Sequence, residues 1–197
     1  DYFLFIVSGV LYLGFIVQTT IMVADNLAEK APVILRINAK PKLLSSSIAA
    51  ASLINFLVAL IPFLIILQVT NKNLGLRILL IVPFLAVLVL FAHSAGLLLS
   101  IIYVHFEDGR ALIRILVSFL PYMTPVFYST EILPKSVRPF IELNPNTQLL
   151  ETFRFIIGIG GSPSSRELFL IISIITLLIC ANHLIFNKLW ESTMRAI

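Results

Sequence analysis

Apolar residues run through the chain in long stretches that short polar segments interrupt. A helix needs ~20 mostly apolar residues to cross a hydrocarbon core. Five stretches approach or exceed that length: about Tyr2–Val23, Leu43–Val69, Ile78–Val104, Ala111–Tyr128 and Leu168–Phe186. Asp25, Arg36, Lys72, Arg110 and Arg138 fall in the gaps, and only Arg114, near one end of the fourth stretch, places a charge inside one. The pattern predicts an all-α polytopic membrane protein with five transmembrane helices in one transmembrane domain, residues 1–197. The fourth stretch is short and holds Pro121 and Pro125. Proline deletes a helix hydrogen bond and kinks the chain. In lipid the freed carbonyls need donors from neighbouring helices or water, so this span is expected to face protein or a cavity.

Three polar connectors carry further pattern. In the first, 29–42, Val33, Ile34 and Ile37 fall on one helical face and Arg36 and Lys40 on another. Pro32 suits a first helical position and Pro41 an end. The segment reads as a short amphipathic helix that lies on the membrane or in a partner's groove, or as a plain interfacial turn whose basic residues meet lipid phosphates. The second connector, His105-Phe-Glu-Asp-Gly-Arg110, contains the turn signal Asp108-Gly109.

The third connector, 129–166, predicts two short helices. Pro134–Leu143 presents Val137, Phe140 and Ile141 on one face. Asn144 then suits an N-cap and Pro145 a first helical position. A second helix follows with Leu149, Leu150, Phe153 and Ile157 in register, and Gly158, Gly160 and Gly161 stop it. Two matched amphipathic helices between two spans suggest a re-entrant hairpin or an outer cap; the alternative is an ordinary extracellular loop.

Composition agrees with a bilayer. Of 197 residues 59% are hydrophobic and 12% charged, and mean hydropathy is +1.03; a soluble domain has roughly 45–50% apolar and about 25% charged residues. The net charge of +4 does not indicate nucleic acid, because the basic residues sit singly between apolar runs. Lys30, Arg36, Lys40, Lys42, Arg110, Arg114, Lys188 and Arg195 group on one side of the predicted topology. Lys72, Arg77, Lys135, Arg138, Arg154 and Arg166 group on the other, in longer loops, so the first side is assigned to the cytoplasm. The opening stretch has no basic n-region and no small-residue cleavage site, so it is not read as a signal peptide. A start at Asp1 rather than methionine suggests that the natural N-terminus is missing.

The candidate chemistry is thin. Cys180, the only cysteine, excludes an intramolecular disulfide and is read as a buried structural thiol. The His105–Arg110 loop invites comparison with the CDP-alcohol phosphotransferase signature. After Asp108, however, the next acidic residue is Glu131, beyond a whole span, so the carboxylate pairs that hold metal are missing. His105 has no second His or Cys at ligand spacing. Gly158-Ile-Gly-Gly161 lacks the Gly-Lys-Ser/Thr of a phosphate loop. His93 and His183 lie within apolar helices and read as hydrogen-bonded packing residues.

The ordered set of polar motifs resembles the permease subunits of type-2 ABC exporters, nearest the group exporting lipid-linked polysaccharide: O-antigen, capsule and teichoic acid. Tyr2-Phe-Leu-Phe-Ile-Val-Ser-Gly9 resembles that family's second span and Val104–Arg110 its cytoplasmic loop. Thr124-Pro-Val-Phe-Tyr128, Ile132-Leu-Pro134, Arg138, Leu143-Asn-Pro145 and Glu151-Thr-Phe-Arg154 resemble its most distinctive stretch. His105 and Glu107 depart from it, replacing an aromatic and a basic residue.

The resemblance implies a six-span fold, here without its N-terminal amphipathic helix and first span, and no catalytic role. ATP and magnesium would sit on a separate ATP-binding subunit, with none bound by this chain and no metal site. A second copy of the chain, membrane lipids and a lipid-linked glycan would be the other partners, in the bacterial cytoplasmic membrane. Val33, Ile34, Arg36, Ile37, Lys40, Phe106, Asp108 and Arg110 would couple to the ATPase. Phe119, Tyr122, Phe127 and Tyr128 would line the route, since sugars stack on aromatic faces. Asn144, Pro145, Glu151, Phe153 and Arg154 would belong to an outer gate. The alternatives are export of a small drug or ion and, from another class, a membrane-embedded transferase acting on lipids.

Overall fold

The computed structural model describes residues 2–36, 40–70, 75–106 and 108–182, and all regular structure among them is helical. Helix α1 spans Tyr2–Arg36, α2 Pro41–Val69 and α3 Ile81–His105, the last entered through a 3-10 turn at Gly75–Leu80. Shorter helices follow: α4 Gly109–Ser118, α5 Leu120–Met123, α6 Arg138–Leu143, α7 Pro145–Ile156 and α8 Ser165–Ala181. Three helices among the described residues are long and apolar enough to cross a membrane: α1, α2, and α3 with its 3-10 entry. The all-α polytopic expectation holds.

The fourth expected span differs. Its chain breaks at Phe119 and again after Met123, because Pro121 and Pro125 cannot donate to the helix ladder. Ten residues of α4 rise only ~15 Å, so this element enters the bundle without crossing as one helix. The fifth is 17 residues to Ala181; its expected continuation to Phe186, with His183, lies outside the described residues.

The first connector also differs. α1 runs 35 residues without interruption through Pro32, ~52 Å at 1.5 Å per residue, and its last three turns carry Asp25, Glu29, Lys30 and Arg36. Pro32 is exposed, while Ala31 and Ile34 on the opposite face are buried with Val23, Leu27, Leu97 and Ile101. That packing holds the helix together past the single hydrogen bond a proline removes. Pro41 opens α2, at its first turn after Lys40, rather than ending a helix.

α1 is the helix around which the others assemble. α2 turns one stripe inward: Ser45, Ala49 and Ser52 near its start, then Phe56, Leu60, Phe63 and Leu67. Lipid is as apolar as leucine, so helices associate there through close packing and small residues. α3 lies close against α1. A Cβ on Gly96 would stand 2.7 Å from the Val23 Cβ and 2.8 Å from the Thr20 carbonyl oxygen. Thr20 Oγ1 donates to the Ala92 carbonyl at 3.2 Å beside this contact. His93, 2.9 Å from Ser45 Oγ, is the hydrogen-bonded packing residue the sequence suggested. Cys180 is exposed on α8, contrary to the expected buried thiol: the helix turns Ile171, Ile174, Ile175 and Leu178 to the core and leaves Cys180 outside that stripe, so an apolar neighbourhood in sequence did not mean burial.

Candidate functional site

The two ends of the bundle carry different polar apparatus. At the Arg36 end, Asp25 and Glu29 stand one turn apart on α1 and face Arg110 and Arg114, one turn apart on α4. Arg110 Nη1 donates to Glu29 Oε1 at 3.0 Å, and its Nε lies 3.8 Å from Asp25 Oδ1. Arg114 Nη2 donates to Asp25 Oδ2 at 3.3 Å. The Arg110 guanidinium also lies 5.9 Å from the centre of the Tyr103 ring. Partly exposed pairs of this kind contribute only ~0.2–1 kcal/mol each, yet together they fix the register of α4 against α1.

Around this ladder the chain presents Val33, Arg36, Lys40, Phe106 and Asp108, all exposed. Ile34 is only 4% exposed and turned into the bundle, so the expected Val33–Ile34 face divides between surface and core. Arg110 points inward to α1. Ile37 and Glu107 lie outside the described residues. The His105 Nδ1–H donates to the Ile101 carbonyl at 2.8 Å, closing the end of α3. Between α3 and α4 lies an apolar cavity of about 1010 Å³, walled by residues such as Leu99, Ile102, Leu112 and Leu116, with His105 and Asp108 also in its lining.

Toward the Tyr2 end the proline break presents its backbone to the bundle, and six consecutive carbonyls are each given a donor. The Tyr122 carbonyl accepts from Tyr128 Oη at 2.7 Å, and that of Met123 from Asn144 Nδ2 at 2.9 Å. Thr124 O accepts from the Val126 N–H at 2.7 Å. Pro125 O and Val126 O accept from Arg154 Nη1 and Nη2 at 2.7 and 3.1 Å. Phe127 O accepts from Tyr2 Oη at 3.1 Å. Irregular backbone at membrane depth is tolerated only where such donors exist, and here side chains from α1, α7 and the turn itself supply most of them.

Arg154 is the centre of this arrangement. Only 3% exposed, it also donates from Nη2 to the Phe5 carbonyl at 3.1 Å and from Nε to Ser8 Oγ at 3.4 Å. Its guanidinium lies 3.5 Å from the centre of the Phe5 ring. Burial lowers its pKa to about 10 while the Glu151 carboxylate acts the other way, so it remains charged at neutral pH. A Cβ on Gly9 would come within 3.0 Å of Arg154 Nη2 and of Val126 Cγ1, which makes the small residue on α1 part of the cradle.

α7 is delivered to this place by the local sequence as expected. Asn144 Oδ1 accepts from the Asn146 N–H at 3.0 Å, Pro145 follows as the first helical residue, and Gly158 at φ +79° closes the helix. Leu149, Leu150, Phe153 and Ile157 are all buried. Phe153 stacks on Phe84 at 5.9 Å and lies 6.3 Å from both Tyr12 and Phe56, so α7 is wedged among α1, α2 and α3. Glu151 Oε1 accepts from Thr130 Oγ1 at 3.2 Å. α6 is shorter than expected, six residues from Arg138, and leaves Val137 and Phe140 exposed.

A groove follows the face of α1 beside the broken element. Its first part, about 460 Å³, lies between Val10, Gly14 and Val17 of α1 and Arg114, Ser118, Pro121 and Phe127. Phe127 also lines a second part of about 520 Å³, with Tyr2, Tyr128 and Ile132. This in turn shares Phe5, Ser129 and Ile159 with a polar cavity of about 310 Å³. Of the four aromatics expected along a route, Phe127 and Tyr128 line this groove. Phe119 and Tyr122 line none of its three parts and are 55% and 69% exposed elsewhere. Tyr2, Phe5, Ser8 and Gly9 were missed as site residues; their place in an apolar opening span gave no hint that Phe5, Ser8 and Gly9 cradle Arg154, 146 residues from Ser8, or that Tyr2 reaches the Phe127 carbonyl. Among the described residues no group of three His, Cys, Asp or Glu could hold a metal ion.

Three membrane-length helices and a proline-broken element whose backbone is satisfied by side chains define a multi-pass membrane protein. The chain belongs to the ABC-2 type transporter family, whose model matches residues 2–157. No curated protein matches it. It is therefore a permease component of a type-2 ABC transporter, a kind of subunit that works with a separate ATP-binding subunit.

Proposed function

We propose that this permease exports a lipid-linked polysaccharide of the O-antigen, capsule or teichoic acid type across a bacterial cytoplasmic membrane. The observation that carries this reading is the groove beside α1. Through its middle it offers Val10, Gly14, Val17, Ser118, Pro121 and Phe127, with no fixed charge between Arg114 at one end and Glu131 and Arg138 at the other. An elongated, mostly uncharged cargo passes such a surface without stripping a charge of its water. Phe127 and Tyr128 supply aromatic faces on which sugar rings stack.

Two copies of the chain would close their grooves into one pathway, symmetric pairing being the commonest assembly. ATP and magnesium would be bound by the partner subunits. Those subunits would meet the Arg36 end, which is thereby cytoplasmic, through Val33, Arg36, Lys40, Phe106 and Asp108. Movement there would reach the break through α4, which the Asp25–Arg114 ladder ties to α1. The segment 129–166, with α7 seated by Arg154, would form the outer gate.

The test has two stages. Co-expression of the full-length protein with the ATP-binding protein encoded beside it should give a stable complex that Val33→Asp and Phe106→Asp weaken; a well-folded permease binding no ATPase overturns the coupling reading. Restoration of surface glycan in a strain lacking its own glycan permease should then depend on Phe127 and Tyr128. Energised export of small drugs with no glycan restored overturns the cargo.

A further inference from the structure

The cavity of about 310 Å³ at the Tyr2 end differs from the others in its chemistry. Its wall carries two carboxylates, Glu131 and Glu151, and two guanidinia, Arg138 and Arg154. The guanidinia are held in place from within: Arg154 by its four hydrogen bonds, and Arg138 by donating from Nε to Glu142 Oε1 at 2.6 Å. That hydrogen bond raises the Arg138 pKa further above its ordinary value. The carboxylate of Glu131, on an exposed residue, faces the same space.

The cavity does not end at these charges. Phe5, Ser129 and Ile159 belong both to it and to the apolar cavity of about 520 Å³ that continues along Tyr2, Leu4 and Ile132. A pocket of mixed charge thus opens directly into an apolar, tyrosine-edged groove at the first turn of α1. Tyrosines favour the membrane–water boundary, so the charged part lies where lipid headgroups lie and the apolar part where their chains begin.

We propose that the paired cavities hold a phospholipid whose headgroup bears a primary ammonium. A ligand that fills both must be an amphiphile with both signs of charge in its head. Its phosphate would face Arg138, its ammonium Glu131 and Glu151, and an acyl chain would follow Leu4 and Ile132. A headgroup with a negative charge alone would meet two carboxylates. A quaternary ammonium is recognised by a cage of aromatic faces, and the aromatic ring in the charged part, Phe5, already has the Arg154 guanidinium over it. A primary ammonium instead donates N–H hydrogen bonds, which carboxylates accept. The volume lies at the small end of the ~300–1,000 Å³ typical of ligand sites, which suits a compact head.

The lipid would share the outer part of the groove proposed above for the cargo, beside Phe127 and Tyr128, and its binding is tested without transport, so that it can fail while the cargo reading stands. The full-length permease, stripped of lipid in detergent, is titrated separately with phosphatidylethanolamine, phosphatidylcholine and phosphatidylglycerol, and bound lipid is counted by native mass spectrometry. The expected result is binding of the ethanolamine lipid about tenfold tighter than either other, a difference of ~1.4 kcal/mol. Glu131→Gln and Glu151→Gln should bring it to the level of the choline lipid. The amide oxygen introduced by Glu151→Gln keeps an acceptor for Thr130, and Glu131→Gln on an exposed residue carries the test alone should the other variant misfold. Equal binding of all three lipids overturns the proposal, as does tightest binding of the glycerol lipid or a preference that survives Glu131→Gln.

Discussion

Replacing Arg154 with methionine tests the central claim about the proline break. Methionine keeps an unbranched chain in the same space but donates nothing. Pro125 O and Val126 O then lose their side-chain donor, while Phe5 O retains Ser8 Oγ as a donor at 2.7 Å. A buried carbonyl left without a partner costs about 1–3 kcal/mol, so two give roughly 2–6 kcal/mol. Removing a buried charge returns part of its desolvation penalty, which leaves a net loss of about 2–4 kcal/mol. For a chain of this length each kcal/mol moves Tm by about 2–4 °C, so Arg154→Met should lower Tm by about 10 °C in detergent. Arg154→Lys should recover less than half, because one ammonium cannot span carbonyls on α1 and on the turn together. A second assay localises the effect. Val126 is 1% exposed; as cysteine, in a chain whose exposed Cys180 is replaced by alanine, it should resist maleimide unless Arg154 is also methionine. If Arg154→Met leaves both Tm and Val126→Cys protection unchanged, Arg154 does not satisfy the break, and the reasoning is wrong.

Gly96→Ala should destabilise the bundle by about 1–3 kcal/mol, the usual effect of overpacking, because its new Cβ meets Val23 and the Thr20 carbonyl; Tm in detergent measures it, and a neutral result would mean that α3 moves freely on α1. Phe153→Ala should cost about 3–5 kcal/mol as a cavity opens among α1, α2, α3 and α7, read as a lower Tm with loss of folded protein. Asp25→Arg should lower transport, and Arg114→Asp added to it should restore much of the loss; failure of the pair to exceed either single variant would show that the ladder does not position α4. Ile34→Asp should reduce the yield of folded permease, whereas Val33→Asp should leave folding intact and weaken ATPase binding, the two effects being separated by size-exclusion chromatography.

The periodicity and punctuation of the sequence were sufficient for several elements. Long apolar runs make membrane helices whatever surrounds them, because the backbone must satisfy itself in lipid. Asn144, Pro145 and Gly158 set the ends of α7 through local hydrogen bonding and backbone geometry, and Leu149, Leu150 and Phe153 mark its buried face by spacing alone. Pro121 and Pro125 announced a break that needed donors. Which donors was a matter of tertiary structure: Arg154 and Asn144 reach the break from the third connector and Tyr2 from the start of α1, contacts across more than a hundred residues in the last case. Local rules also misjudged Pro32, since a proline at a plausible helix start looks the same as one tolerated inside a helix whose other face, Ala31 and Ile34, is packed. The aromatic residues of the broken element show the same division. Their composition suggested a route, yet only the fold decided that Phe127 and Tyr128 line the groove while Phe119 and Tyr122 point away, because the direction of a side chain after a helix break is set by the turn and its partners, not by the spacing of residues in the chain.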